Sequence, residues 1–404
     1  MKRLVCFKLM ILLLLIGTSC QKDNNQQSQL SGSTKSALGQ TQPEFATVKI
    51  GSGSARYYFV GKINHPGMHI EIQGEVLINN FESGSSAIEE EEGGESSFLN
   101  STDGKKFYLE GNITANNRVK LDVVPSDEYF NEKPKISATI LGKLDCAKGM
   151  FQGKWSSNID PKDTASLVLY FVARYNKIKD TKLRASISYP QFAAKEFASF
   201  NDTLAHIMYP KLDFCVAKVK NMLRQYSDTS IILPDGRKPT DALVAQHNVS
   251  VVYLASNLLA LSYQLFFDEN GAHPYGTTSS ENWWRRSNGN FVTVRLPEIF
   301  IANSNYTKTL IDLLIVELNK NQKVREDHAQ IQEQELLGMI RRESFAWFLH
   351  PAGVRIIFPT YSFGASHAAG EIEVNIPYSS LRSHLRFDGA AGEFLRQDGF
   401  VLNP

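Results

Sequence analysis

Two histidines, His65 and His69, have the H-x-x-x-H spacing that presents two metal ligands on one face of a helix. Pro66 and Gly67 lie between them, and this dipeptide favours a turn instead of a helix. We therefore predict that the pair holds no metal. The sequence has no P-loop, no C-x-x-C, no H-E-x-x-H and no G-x-G-x-x-G between a strand and a helix, so we expect no cofactor.

Ser366 lies within residues 364–368, a segment close to the G-x-S-x-G pattern in which esterases hold a serine nucleophile. Ala368 replaces the last glycine, and the segment joins two predicted strands instead of opening a helix. We therefore expect no nucleophile here and predict that the protein is not an enzyme. A pair of catalytic carboxylates has no sequence pattern of its own, so an enzyme acting on peptidoglycan or another polysaccharide stays an alternative.

The most suggestive binding side chains lie between residues 273 and 286 and at residue 367. Trp283 and Trp284, followed by two arginines, have the composition of a binding hot spot if exposed and of a packed domain contact if buried. His273 follows a predicted strand and turn, where an imidazole either hydrogen-bonds a neighbouring loop or contacts a ligand. We predict that residues 283–286 lie in a loop after His273 and that this loop recognises a partner. The candidate ligand-binding residues are His273, Trp283, Trp284, Arg285, Arg286 and His367.

These side chains must be positioned by the elements of the second half of the chain. Apolar spacing predicts a helix over 192–226 that Pro210 interrupts, and two paired strands within 247–267. Further helices are predicted at 306–318 and 327–342, and short strands at 186–188, 345–349, 354–358 and 371–376. We therefore predict an α+β domain in which helices cover an antiparallel sheet.

The first half of the chain repeats a short pattern of apolar residue, any residue, glycine, polar residue, apolar residue. The two apolar positions lie four residues apart and share one face of a strand with the glycine between them. Glycine lets such a strand bend or be approached closely by packed aromatic rings. We therefore predict a curved antiparallel β-meander, a half-barrel or small barrel. Its glycines are Gly61, Gly74, Gly111, Gly142 and Gly153.

The end of the chain resembles the RsiV-like domain of unknown function. The matching residues are Phe358, Tyr361, Ala368, Ala369, Gly370, Ile372, Val374, Ile376, Pro377, Tyr378 and Leu381, with a second match at 270–273 and 296–300. The resemblance covers residues 185–390. It implies a ligand-binding role at the cell envelope, because one sensor member of that family binds lysozyme and another copy accompanies a peptidoglycan deacetylase. It implies no reaction in the domain itself.

The first 19 residues have a basic start and an apolar core far shorter than the ~20 residues of a membrane-spanning helix, which is typical of a signal peptide. Residues 15–20 resemble a lipobox, so we predict acylation of Cys20 and attachment to a membrane through its lipid. Gln21 directly after Cys20 favours transfer of the lipoprotein to the outer membrane, and the sequence leaves open whether the protein lies on the periplasmic or the surface leaflet. Residues 20–44 are polar and predict a flexible tether. We expect a β domain at 45–175, the α+β domain at 185–390 and a tail at 391–404.

Cys146 and Cys215 remain once Cys6 is removed with the signal peptide and Cys20 is acylated. In an oxidising envelope compartment they form either a disulfide or two buried thiols. The formal net charge of +1 gives no argument for a nucleic acid partner. The leading prediction is a non-catalytic envelope lipoprotein that binds a lysozyme-like muramidase or a cell-wall glycan such as peptidoglycan, and the remaining alternative is a structural assembly factor.

Overall fold

The computed structural model of this chain describes residues 46–51, 55–65, 68–78, 96–101, 104–113, 117–126, 128–129, 133–226, 243–255, 257–268, 274–326, 331–366 and 370–397. The predicted signal peptide, the acylated Cys20 and the tether lie outside the described residues. Within these ranges no helix is long and apolar enough to span a bilayer.

The predicted antiparallel meander is confirmed, and it closes into a barrel of eight strands. Each strand pairs with the next, and β1 also pairs with β8, so that the sheet has no free edge along most of β1. The strands are β1 (Ala55–His65), β2 (Met68–Ile78), β3 (Ser97–Asn100), β4 (Lys106–Ile113), β5 (Arg118–Pro125), β6 (Ala138–Asp145), β7 (Met150–Ser157) and β8 (Thr164–Lys179).

Apolar side chains fill the inside of the barrel. Tyr57 and Phe59 on β1 are fully buried, and both pack edge-on against Phe171 of β8. The buried aromatic residues Tyr57, Phe59, Phe98, Phe151 and Phe171 are therefore part of the barrel core. The outer wall carries the alternate residues of β1 and β2.

Two of the repeated glycines show why the pattern requires them. Gly142 and Gly153 are directly paired across β6 and β7, and the ring of Phe151 lies over both. A Cβ placed at Gly153 would come within 2.6 Å of Phe151 Cζ, and one at Gly142 within 2.4 Å. The close approach of an aromatic ring therefore explains these glycines.

The long strand β8 continues beyond the barrel and becomes the first strand of a second sheet. Its residues 173–179 pair with β9 (Ala185–Phe192), which is followed by β10 (Val244–Leu254), β11 (Leu258–Asp268), β12 (Tyr275–Arg285) and β13 (Phe291–Val294). The residues between the two predicted domains, 176–184, are thus the end of β8 and a tight turn. The limits of the two predicted domains stay a prediction.

One helix, α1 (Ala198–Tyr226), covers one face of this sheet. Because α1 lies in the crossover connection between β9 and β10, these two strands pair in parallel. The predicted interruption at Pro210 is wrong, since α1 runs through it. Pro210 lies on the exposed side of the helix, while Leu204, Met208 and Cys215 hold both halves of α1 against the sheet. Proline lacks the backbone N–H of a helical hydrogen bond, but its position on the exposed side leaves the packing of α1 on the sheet unchanged.

The opposite face of the second sheet is covered by the C-terminal layer. Three antiparallel strands, β14 (Ala346–His350), β15 (Gly353–Phe358) and β16 (Ile372–Ile376), form a separate small sheet. The helices α2 (Tyr306–Lys320), α3 (Gln322–Glu326), α4 (Glu333–Arg342), α5 (Tyr378–Leu381) and α6 (Ala390–Gln397) complete this layer. The predicted class, a β-meander followed by a helix-covered antiparallel sheet, is confirmed, with the parallel β9–β10 pair as an addition.

Candidate functional site

The predicted recognition residues Trp283 and Trp284 are buried, with exposed fractions of 8% and 6%. They lie in strand β12 and not in a loop, so their side chains point to opposite faces of the sheet. Trp283 packs edge-on against Phe200 of α1, and its Nε1 donates a hydrogen bond of 3.0 Å to Glu281 Oε2. Trp284 packs into the C-terminal layer. The prediction of an exposed loop that recognises a partner is therefore wrong for these two residues, and both indoles are packing residues.

Of the other predicted binding residues, the structure describes Arg285 and Arg286. Arg285 is half-buried at the end of β12, and Arg286 is exposed in the turn that leads to β13. His273 and His367 lie outside the described residues. The roles of His273 and His367 therefore stay predictions, whereas Trp283 is buried.

Cys146 and Cys215 are free thiols, so of the two alternatives left open by the sequence the disulfide is not the one formed. Cys146 packs against the barrel core, whereas Cys215 lies on α1 in a different core cluster. Burial raises the pKa of the Cys215 thiol to about 11. Separate cores therefore keep the two sulfurs apart.

His65 and His69 lie on the two strands of the β1–β2 hairpin and take different partners. His65 Nε2 is 2.8 Å from Asp163 Oδ1, while His69 Nδ1 is 2.7 Å from Asn64 Oδ1. Each imidazole thus contacts a different polar side chain.

A polar cavity of about 310 Å³ lies where the outer wall of the barrel, the second sheet and the C-terminal layer meet. We call it the junction cavity. Its volume is at the lower end of the range of small-molecule sites. The barrel contributes Arg56, Tyr58, Gln73, Glu75 and Lys106, the second sheet contributes Ser250, Ser262, Gln264 and Thr278, and the C-terminal layer contributes His350, Arg355 and Glu371.

The floor of the junction cavity is built by polar side chains of β2 that point out of the barrel. Gln73 and Glu75 alternate with the inward-pointing Ile72, Gly74 and Val76, yet they are only 4% and 8% exposed. They are buried because the second sheet lies directly against this wall. Buried polar groups of this kind require hydrogen-bond partners.

Gln73 and Glu75 find those partners in strand β10, at an irregularity in its pairing with β11. The register of this pairing shifts between Val251 and Tyr253, which is typical of a β-bulge. The Val251 N–H donates to Glu75 Oε1 at 3.1 Å, and the Leu254 N–H donates to Gln73 Oε1 at 2.7 Å. Two side chains of the barrel therefore satisfy backbone donors of the second sheet.

Two buried tyrosines complete this network. Tyr58 Oη donates to Gln73 Oε1, and Tyr175 Oη donates to Glu75 Oε1. Burial, and next the charge of Glu75, raise the pKa of both phenols well above their usual value, so both remain proton donors. Arg56 Nη1 lies 3.4 Å from Glu75 Oε2, which places a cation at the edge of the junction cavity.

The opposite wall is formed by His350 and Arg355. Burial, followed by the charge of Arg355, lowers the pKa of His350 to about 3, so the ring is neutral. The Ala352 N–H donates to His350 Nδ1 at 3.4 Å, which leaves the ring proton on Nε2. Arg355 Nη2 pairs with Glu373, whereas its buried Nε has no hydrogen-bond partner.

The arrangement has the chemistry of a site for a polar ligand that carries negative charge. Three cations, Arg56, Lys106 and Arg355, and two carboxylates, Glu75 and Glu371, line the cavity. Arg56 faces Glu75 and Arg355 pairs with Glu373, so both arginines are held in place at the cavity wall by a carboxylate. Hydroxyl and amide groups of β10 to β12 supply further donors and acceptors. Sequence reasoning missed this site because alternation assigns Gln73 and Glu75 to an outer face without showing that another sheet covers it.

The comparisons with known proteins concern the C-terminal layer. Residues 297–379 match the family described as "Protein of unknown function (DUF3298)". This segment contains His350, Arg355 and Glu371 and is shorter than the predicted range of 185–390. No curated protein matches the chain.

Two solved structures of DUF3298 family proteins are similar to this chain. A member from Bacteroides fragilis has 15% sequence identity and a TM-score of 0.35, and the match covers 56% of this chain and 98% of that one. A protein from Pseudomonas aeruginosa has 14% identity and a TM-score of 0.29, and the match covers 53% of this chain and 92% of that one. The similarity to a domain of unknown function rests on the family match at residues 297–379, towards the C-terminus of the chain.

Proposed function

We propose that this chain is a non-catalytic lipoprotein of the cell envelope that binds a carboxylate-bearing glycan in the junction cavity. The observation that carries the proposal is the set of three cations and several hydroxyl and amide groups around one cavity of about 310 Å³. Sugars present many hydroxyl groups, and a carboxylate on the sugar complements arginine well. Membrane attachment through Cys20, at the outer membrane, rests on the lipobox-like residues 15–20 and on Gln21.

The state of Glu75 favours binding over catalysis. Its Oε1 accepts hydrogen bonds from Tyr175 and from the Val251 N–H, and its Oε2 faces Arg56. A general acid or base needs a free path to the proton that it transfers. Because this carboxylate joins the barrel to the second sheet, we assign it a structural role.

Calorimetry with the full chain in a non-ionic detergent tests the proposal. The ligand is the disaccharide of N-acetylglucosamine and N-acetylmuramic acid, and the neutral comparison is chitobiose, which lacks the carboxylate. We expect saturable binding of the first and at least tenfold weaker binding of the second, since a hydrogen bond to a charged group contributes roughly 1.5–3 kcal/mol.

Matched arginine variants locate the site. Arg355→Gln is expected to weaken binding of the disaccharide about tenfold or more, because it removes the positive charge beside His350. Arg341→Gln changes the charge equally at an exposed position of α4 and is expected to have no effect. Equal affinity for chitobiose, or a loss confined to Arg341→Gln, contradicts the proposed site. Lysozyme is titrated in parallel, and saturable heat with it alone would favour the predicted protein partner instead.

A further inference from the structure

A second polar surface begins at the turn between β8 and β9, at the far end of the second sheet. A groove of about 670 Å³ is lined there by four cations, Lys177, Lys179, Lys182 and Arg184. We call these four residues and their groove the basic groove. Asp180 is the acidic residue of its lining, and Asp180 Oδ1 accepts the N–H groups of Lys182 and Leu183 at 2.9 Å each. The single carboxylate thus closes the turn, and the groove carries an excess of positive charge.

The register of the strands connects the basic groove to the junction cavity. Lys177 is paired with Ser188, Ser188 with Asn248, Asn248 with Gln264 and Gln264 with Thr278, so these side chains form one row across one face. We call this row the polar row. Gln264 lines both the basic groove and the junction cavity.

The distance between the two sites follows from strand geometry. Gln246 and Asn248 line the basic groove, and Ser250, two residues further along β10, lines the junction cavity. Residues two apart on a strand are separated by roughly 7 Å, so the stretch from Gln246 to Ser250 spans about 13 Å. The exposed face over this stretch is made of amides and hydroxyls and is wider than a single sugar requires.

We propose that the basic groove and the polar row bind the continuing chain of an anionic polysaccharide whose end occupies the junction cavity. This inference rests on the proposed function and adds that the ligand is a polymer. Hydroxyl and amide side chains along the polar row suit the sugar hydroxyls, and Lys177 and Lys179 lie where the following acidic units of the chain pass. Attraction between these exposed lysines and the polymer is screened by salt.

Titration of the full chain with galacturonic acid, its trimer and its hexamer tests this inference, with cellohexaose as the neutral hexamer. We expect the hexamer to bind at least tenfold more tightly than the monomer at low ionic strength. In 1 M sodium chloride most of this advantage is expected to disappear. Cellohexaose is expected to bind at least tenfold more weakly than the galacturonic acid hexamer.

The variant Lys177→Gln/Lys179→Gln is expected to reduce the affinity for the hexamer to nearly that for the monomer and to leave the affinity for the monomer unchanged. Lys308→Gln/Lys320→Gln removes the same charge from exposed positions of α2 and serves as the matched control. An unchanged preference for the hexamer in the first variant, or equal loss in both variants, overturns the extended site.

The outcomes separate the two proposals. Binding of the monomer with no gain for the hexamer overturns the extended site and leaves the junction cavity as the binding site. Binding of the hexamer that Arg355→Gln does not weaken overturns the placement of the chain end in the junction cavity. A wild-type chain that binds neither the disaccharide with N-acetylmuramic acid nor any of the galacturonic acid ligands overturns both the junction cavity as a binding site and the extended site.

Discussion

At the scale of single residues, Glu75 joins its own strand β2 to β8 and β10, two strands that are distant in the sequence. It lies on β2, accepts hydrogen bonds from Tyr175 on β8 and from the Val251 N–H on β10, and faces Arg56 on β1. Removing one member of such a buried network leaves the others unpaired, which costs more than the bond itself contributes. Removal of the Glu75 carboxylate is therefore expected to destabilise both the barrel and the second sheet.

We expect Glu75→Ala to lower the free energy of unfolding by about 2–4 kcal/mol, because it leaves the Tyr175 hydroxyl without its acceptor and the Val251 N–H with Tyr175 Oη alone. Glu75→Gln keeps an acceptor oxygen and is expected to cost less, about 1 kcal/mol. Glu71→Ala, on the exposed part of the same strand, removes a surface pair with Lys62 and is expected to change stability by no more than about 0.5 kcal/mol. Urea unfolding measures all three, and equal losses at Glu75 and Glu71 would contradict the structural role.

At the scale of elements, the C-terminal layer is attached to the second sheet by side chains of β12. Asn282 is 1% exposed, and its Nδ2 donates to the Trp347 carbonyl at 3.0 Å while its Oδ1 accepts the Leu349 N–H at 2.9 Å. Ser280 Oγ accepts the Trp347 N–H at 2.7 Å. These two residues therefore satisfy backbone groups on the open edge of β14, as a neighbouring strand would.

We expect Asn282→Leu to destabilise the protein by about 2–4 kcal/mol and to increase the rate of amide hydrogen exchange at Leu349. The reason is that one buried donor and one buried acceptor of β14 lose their partners. Asn319→Leu, at an exposed position of α2, is the matched control and is expected to stay within about 0.5 kcal/mol. Unchanged exchange at Leu349 in the first variant would show that Asn282 does not hold the strand.

At the scale of the whole molecule, two buried histidines make stability depend on pH. Burial, followed by the charge of Lys211, lowers the pKa of His247 to about 4, and burial with Arg355 lowers that of His350 to about 3. The unfolded chain binds a proton at each histidine near pH 6.5, whereas the folded chain resists it. Their contribution to stability is thus fully present above pH 6.5 and is lost as the pH falls towards 4 and 3.

We expect the free energy of unfolding to fall between pH 6.5 and pH 4 by up to about 1.4 kcal/mol per pH unit for each of the two histidines. His247→Leu removes one titrating group and is expected to reduce this slope by about half. Urea unfolding at pH 7, 6 and 5 measures the slope. A slope that is the same in wild type and variant would show that His247 does not contribute.

The fold was predictable where local patterns determine the outcome. A long apolar, β-rich run located β10 and β11, and period-two alternation located β16. The repeated glycines indicated a curved meander, because their spacing reflects side-chain packing on one face of a strand. The run through Pro210 was not predictable, since packing of α1 on both sides of the proline outweighs its local preference.

The sequence by itself determined the strand class, the glycine-dependent barrel, the absence of common cofactor motifs and the predicted lipid attachment at Cys20. Only the tertiary structure decided that Trp283 and Trp284 are core and that Gln73 and Glu75 are buried. The physical reason is that alternation along a strand separates its two faces, whereas the layer that covers each face comes from strands far away in the chain. The junction cavity exists because β8 joins the barrel to the second sheet and the C-terminal layer forms its opposite wall, and the polar row is the continuation of the same sheet face beyond that layer.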